Sequence, residues 1–158
     1  MEVKGSFVMK KKLINQMELS IPAKSVNEGF ARSAVAAFCA QVDPTVDELA
    51  DLRTAVSEAV TNAIVHGYKN RENGVVYITV KNYDNRSVSV KIRDKGCGIT
   101  DIRRAMTPLF TTDPQGERGG MGFSIMESFT DSLSVTSKVG KGTSVTMKKY
   151  IGKSREDE

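Results

Sequence analysis

The sequence predicts an α+β fold, an α/β sandwich in which a mixed, mostly antiparallel sheet is covered by helices on one face. Three observations carry the prediction. Val76, Ile78 and Val80 alternate with Tyr77, Thr79 and Lys81, and Val88, Val90 and Ile92 alternate with Ser87, Ser89 and Lys91. That period of two belongs to strands with one buried and one wet face. Two upstream segments instead repeat apolar residues at three- and four-residue steps, as amphipathic helices do. The chain has 158 residues, 39% hydrophobic and 27% charged, which suits one domain with a core of its own. The expected organisation is a flexible extension over residues 1–12, a single domain over 13–150 and a flexible tail over 151–158, since both ends are polar and lack periodicity.

The elements follow in order. Leu13, Met17, Leu19 and Ile21 place a first strand over 13–22, ended by Pro22. Ser25-Val26-Asn27-Glu28 has capping-box spacing and opens a helix to about Val42, with Phe30, Ala34, Ala37 and Phe38 as its apolar stripe. Asp43-Pro44-Thr45 starts a second helix that runs to about His66, with Gly67 at a left-handed stop position. Its stripe is Leu49, Leu52, Val56, Ala59 and Ala63. The two alternating strands come next, joined at Asp84-Asn85 as an antiparallel hairpin. Residues 95–122 are rich in glycine and hold only a short helix near Asp101–Ala105. So long a loop in a compact domain points to function or disorder. A helix from about Gly122 to Thr130 and two strands over 132–138 and 142–149 complete the chain.

Composition narrows the function classes. No apolar run approaches the roughly 20 residues of a membrane-spanning helix, and no apolar segment of signal-peptide type follows Lys10-Lys11-Lys12. Cys39 and Cys97 are distant and read as reduced thiols of a cytoplasmic protein. One histidine, His66, leaves no zinc cluster. The net charge of +4 is modest, and no aromatic residues interleave with the lysines, which argues against direct nucleic-acid binding.

Three segments could do chemistry. Glu58 and Asn62 are four residues apart on the second helix, so they project side by side. The Asn62 amide oxygen suits Mg²⁺, and the Glu58 carboxylate can take a proton from a hydroxyl. Alone, the pair better fits the exposed polar edge of an amphipathic helix. Asp94-Lys95-Gly96-Cys97-Gly98 follows a strand directly. Its glycines allow close approach of the backbone to a ligand, and its aspartate can accept from an exocyclic amine. Gly116-Glu117-Arg118-Gly119-Gly120-Met121-Gly122 brings glycine-rich backbone to a helix start, where free amides and the helix dipole attract phosphate, and Arg118 adds a guanidinium. Neither GxxxxGK[ST] nor GxGxxG occurs in the required place.

Taken together, a helical Glu-x-x-x-Asn, a strand with DxGxG, a long loop, GxG opening a helix and the final Lys141-Gly142-Thr143 turn resemble the ATPase superfamily of gyrase, heat-shock chaperones, histidine kinases and mismatch-repair proteins (GHKL). The likeness extends from about residue 14 to 150. Ser57-Glu58-Ala59-Val60-Thr61-Asn62-Ala63-Ile64-Val65-His66-Gly67-Tyr68, Pro108-Leu109-Phe110-Thr111-Thr112 and Gly120-Met121-Gly122-Phe123-Ser124-Ile125-Met126 resemble its serine-kinase anti-sigma branch. The resemblance implies ATP and Mg²⁺ as cofactors, with Asn62 holding the metal and Glu58 acting as base for the substrate serine. It implies Asp94 at the adenine amine, Gly96 and Gly98 shaping that pocket, and Thr143 supporting it. Thr107 to Gly120 would form a lid, Arg118 would meet the terminal phosphate, and His66, Gly120 and Gly122 would lie along the nucleotide. Implied partners are a sporulation sigma factor, held inactive, an anti-anti-sigma protein phosphorylated on serine, and a second copy of the chain. Arg32 would belong to the partner surface. His66 is expected at a helix end, not as a phospho-acceptor. Two alternatives stay open: a stress-response kinase of the sigma-B type, and a nucleotide-binding sequestering module without catalysis.

Overall fold

The computed structural model describes residues 10–107 and 122–152. Strands β1 (Leu13–Pro22), β2 (Val75–Tyr83), β3 (Ser87–Asp94), β4 (Ser132–Lys138) and β5 (Gly142–Tyr150) form one sheet in the order β1-β2-β3-β5-β4. Every neighbouring pair is antiparallel. Helix α1 (Val26–Cys39) and helix α4 (Gly122–Phe129) both pack on α2 (Val46–Asn62), and α3 (Ile102–Ala105) is a single turn. The α/β sandwich is therefore as the sequence predicts.

The strand phase decides what lies under the helices. Val88, Val90 and Ile92 of β3, and Val145 and Met147 of β5, join Leu52, Ala55, Val56, Ala59 and Val60 of α2 in one buried core. The register aligns Leu19, Ile78, Ile92, Val145 and Val135 in a row across all five strands. Two residues further along the same phase, the row reads Asp94, Thr143 and Ser137. The apolar face of the sheet thus ends in a polar strip, because period two keeps these side chains on the helix-covered side.

Three local expectations are corrected. Ser25 makes no side-chain cap, and the capping box is formed by Thr45 and Glu48 at the start of α2. Glu28 is drawn away instead, accepting from the Ser57 hydroxyl and from Arg32 Nη1 at 3.4 Å. The buried face of α1 is Ala31, Val35, Ala36 and Cys39, so the stripe is rotated by about one position. Phe30 is 56% exposed, and Val26, one turn before it, is 80% exposed. Small residues let α1 approach the sheet and α2 closely, and the larger Phe30 does not fit that seam. Finally, Gly67 is not a left-handed stop. Residues Ala63–Gly67 form a π-helical turn, closed by Tyr68 N–H donating to Ala63 O at 2.9 Å. The left-handed residues there are Lys69 and Asn70.

Candidate functional site

A cavity opens where the polar strip of the sheet meets the end of α2. Glu58, Asn62, His66 and Gly67 line it from the helix, and Asp94, Gly98 and Thr143 from the sheet side. Gly122 and Phe123 close it at the start of α4. Glu58 and Asn62 share one face of α2, one regular turn apart.

Asp94 is only 6% exposed. Its position follows from the alternation that buries Ile92 and Val90. The carboxylate accepts from Gly96 N–H at 2.9 Å and from the Thr143 amide. Burial raises its pKa above the usual carboxylate value of 3.8, against the lowering effect of those two N–H donors.

The turn after β3 is tied down by backbone. Cys97 N–H donates to Gly67 O at 2.9 Å, and the Cys97 thiol donates to His66 O at 3.2 Å. Lys95 N–H donates to the Tyr68 hydroxyl at 2.7 Å, and Tyr68 passes its own hydrogen to Val75 O. Gly96 does not line the cavity but permits the close packing, since a Cβ there would stand 2.1 Å from Gly67 O. A Cβ on Gly67 would stand 2.8 Å from the Asp94 carboxyl carbon. Gly98 has φ +75, a left-handed conformation that side chains disfavour.

At the far end, a Cβ on Gly122 would lie 3.0–3.1 Å from the polar atoms of the Asn62 amide. Glycine therefore keeps the space beside Asn62 open. Asn62 is the oxygen donor there that suits a hard cation. No group of three or more His, Cys, Asp or Glu side chains able to hold a metal occurs among the described residues. An ion at Asn62 would need most of its ligands from water or a bound phosphate chain, which is how Mg²⁺ is commonly held.

The structure brings Glu58, Asn62, His66, Asp94, Gly98, Gly122 and Thr143 to one cavity. Thr107 is exposed and spends its hydroxyl on Arg103 O at 3.1 Å, outside the lining. Arg118 and Gly120 lie outside the described residues. Arg32 is on α1 and is not among the lining residues, with its side chain 41% exposed. Sequence reasoning missed Lys69, Ile99 and Arg104, which also line the cavity. Lys69 has φ +53, a backbone state that sequence pattern does not announce. Ile99 falls after β3, where periodicity ends, and Arg104 sits on the single turn of α3, too short to show a pattern.

Comparison with known proteins agrees with this geometry. The family model described as histidine kinase-like ATPase domain matches residues 21–149. An anti-sigma F factor of a Geobacillus species is 57% identical over 141 residues, 89% of this chain and 96% of that protein. One from Thermoanaerobacter pseudethanolicus is 54% identical over 139 residues, 87% of this chain and 95% of that protein. Among solved structures, the RsbU and RsbW domains of Rv1364c from Mycobacterium tuberculosis superpose with TM-score 0.64 at 16% identity, covering 87% of this chain and 33% of that one. The histidine kinase domain of a blue-light activated kinase from Erythrobacter litoralis gives 0.53 at 22% identity, over 83% of this chain and 62% of that one. These distant likenesses speak for the fold, and no helix among the described residues is long and apolar enough to cross a membrane. By the matched domain and the identity over nearly its whole length, the chain belongs to the anti-sigma F factor family of histidine kinase-like ATPase domains.

Proposed function

We propose that the chain binds ATP in this cavity, phosphorylates a serine of an anti-anti-sigma protein and holds a sporulation sigma factor inactive. The observation that carries the reading is the convergence of Glu58, Asn62, Asp94, Thr143 and the Gly122 helix start on one cavity. Asp94 accepts the adenine amine in addition to the two backbone N–H groups that already hold its carboxylate. Asn62 supplies the oxygen for Mg²⁺, and the start of α4 faces the phosphates. Mg²⁺, when bound, neutralises charge on the phosphates. Glu58 takes the proton of the attacking serine. Arg118 and Gly120, outside the described residues, are assigned to the terminal phosphates, Thr107 to the lid, and His66 to the helix wall beside the nucleotide. The family's working form is proposed to be a homodimer in the cytoplasm, with a 13–150 catalytic domain.

The test is transfer from labelled ATP to small partner proteins that carry an acceptor serine. Label on the partner's serine is expected, and its absence with every such partner that binds would reduce the chain to a sequestering module.

Acidity should govern nucleotide affinity. The carboxylate, not the acid, accepts from adenine. Because burial raises the Asp94 pKa, affinity should begin to fall at a higher pH than the ordinary 3.8 allows. The same shift means the folded state binds this proton more tightly than the unfolded chain. Its stabilising contribution is therefore complete below the unfolded pKa and lost as pH rises through the folded one. Calorimetric titration with ATP across pH should show the acid-side decline, and Asp94→Asn should remove it along with much of the affinity.

Partner binding is assigned to α1 around Arg32, whose side chain is 41% exposed and holds Glu28 beside Ser57 of α2, on the other side of the helix from exposed Phe30 and Val26. Arg32→Glu should weaken binding of at least one protein partner about tenfold or more by setting like charges together, with ATP affinity near normal. Unchanged affinity for both partners would leave Arg32 an ordinary surface charge.

A further inference from the structure

Ser137 lies beside Thr143 in the same polar strip, on the neighbouring strand, and does not itself line the cavity. Its hydroxyl makes three contacts. Ile99 N–H donates to Ser137 Oγ at 2.7 Å. Ser137 Oγ lies 3.0 Å from Gly142 O and 2.8 Å from Thr143 Oγ1. A hydroxyl has one hydrogen and two acceptor positions. A carbonyl oxygen can only accept, so in the Gly142 contact it is Ser137 that donates its hydrogen. The Ile99 amide takes one acceptor position. The contact with Thr143 must then run the other way, with Thr143 donating. In this assignment Ser137 is fully satisfied, and the single hydrogen of Thr143 is directed along the strip toward Ser137.

We infer that Ser137 is a positioning residue that sets the base preference of the cavity by fixing the polarity of the Thr143 hydroxyl. With its hydrogen turned away, Thr143 shows only lone pairs to the cavity it lines. Asp94 beside it on the neighbouring strand is a carboxylate already receiving Gly96 and Thr143 amides, and it too can only accept. This end of the cavity therefore offers acceptors and no hydroxyl donor from this pair. It favours a ring edge bearing an amino group, with two hydrogens to give, and disfavours a 6-oxo ring, whose oxygen would meet other acceptors. The same Ser137 oxygen also anchors Ile99, another lining residue, so β4 and the loop after β3 are set by one atom.

The inference rests on the reading of the cavity as a nucleotide site, and the experiment separates the two. ATP and inosine triphosphate, which differ at the 6-position and at the neighbouring ring N–H, are titrated against the full chain. The unmodified protein should prefer ATP. In Ser137→Ala the Thr143 hydroxyl is free to turn and donate, and the preference should fall by roughly five- to tenfold, the scale of one hydrogen bond gained or lost. Ser137→Thr keeps a hydroxyl on a strand position and should restore it. A purely structural role would lower melting temperature and weaken both nucleotides alike. In a Thr143→Val background, adding Ser137→Ala should leave the preference unchanged. A preference untouched by Ser137→Ala, or still lowered by it when Thr143 is Val, overturns the inference while the nucleotide site stands. Equal affinity of the unmodified chain for both nucleotides also overturns it. Binding of neither nucleotide overturns the site reading and the inference with it.

Discussion

Replacing Glu58 with glutamine is expected to lower serine phosphorylation by about 10²- to 10⁴-fold and to leave ATP affinity nearly unchanged. Glutamine keeps the length of the side chain and its capacity to accept, and loses only the ability to take a proton. Glu58 lines the cavity from α2 one turn before Asn62, at the end proposed for the phosphates and away from Asp94. A group acting on proton transfer contributes to the barrier, and a loss of that size corresponds to roughly 3–5 kcal/mol. The neighbouring Ser57 hydroxyl, bonded to Glu28 of α1, holds this stretch of α2 against its neighbour, so the variant should fold normally. Single-turnover transfer from labelled ATP, alongside an equilibrium titration, separates the two quantities. Transfer at the normal rate would remove Glu58 from the role of base. Loss of ATP binding in the same proportion as transfer would make it a binding residue.

Gly96→Ala should be strongly damaging although Gly96 does not itself line the cavity. The added Cβ would stand 2.1 Å from Gly67 O and 2.3 Å from its carbonyl carbon. Both are backbone atoms, and Gly67 is itself held against the Asp94 carboxylate, so neither can yield without moving the other. Relief of the clash breaks the Cys97 N–H bond to Gly67 O and displaces Asp94. Overpacking of this kind costs roughly 1–3 kcal/mol, and nucleotide affinity should fall at least about tenfold because the displaced group is the one proposed to meet the base. Gly140→Ala is the control. Gly140 also has a left-handed φ of +77 but nothing within 4 Å of its would-be Cβ. It should lose about 1 kcal/mol from backbone strain and bind nucleotide almost normally. Melting curves and titrations of the two variants decide the matter, and equal affinity in both would show that the Gly67–Gly96 contact does not shape the site.

The legible parts of this chain were those governed by period. The alternation in Val76–Lys81 and Ser87–Ile92 placed both central strands, and its continuation by two residues is what buries Asp94. The i, i+4 spacing of Glu58 and Asn62 held because α2 is regular up to Asn62. Sequence reasoning failed where a choice between similar options depends on the neighbour. Ser25 and Thr45 both precede a glutamate by three residues, and only Thr45 caps. Glu28 has a better partner in Ser57, a contact 29 positions away that no local pattern contains. On α1 the apolar residues are spread widely enough to support two faces, and the close approach to α2 selected the one with small side chains. Ser137 escaped notice for the same reason: an ordinary serine in an alternating strand acquires its role from three contacts made by the hairpin and by a loop 38 positions distant.

The π-helical turn at Ala63–Gly67 has a consequence for how this chain can change over time. A wide turn of this kind is a regular helix that has absorbed one extra residue. Upstream of it, Glu58 and Asn62 keep their phase; downstream, the chain is shifted by about 100°, which is what presents Gly67 to Asp94 and Gly96. Loss of a single codon between 63 and 66 would restore an ordinary helix and swing that backbone away from the sheet. Gain of a codon would overshoot by the same angle. The exposed loop at Arg71–Asn73, a few residues on, can change length without disturbing either wall. Length variation among descendants of this gene should therefore stop sharply at Tyr68.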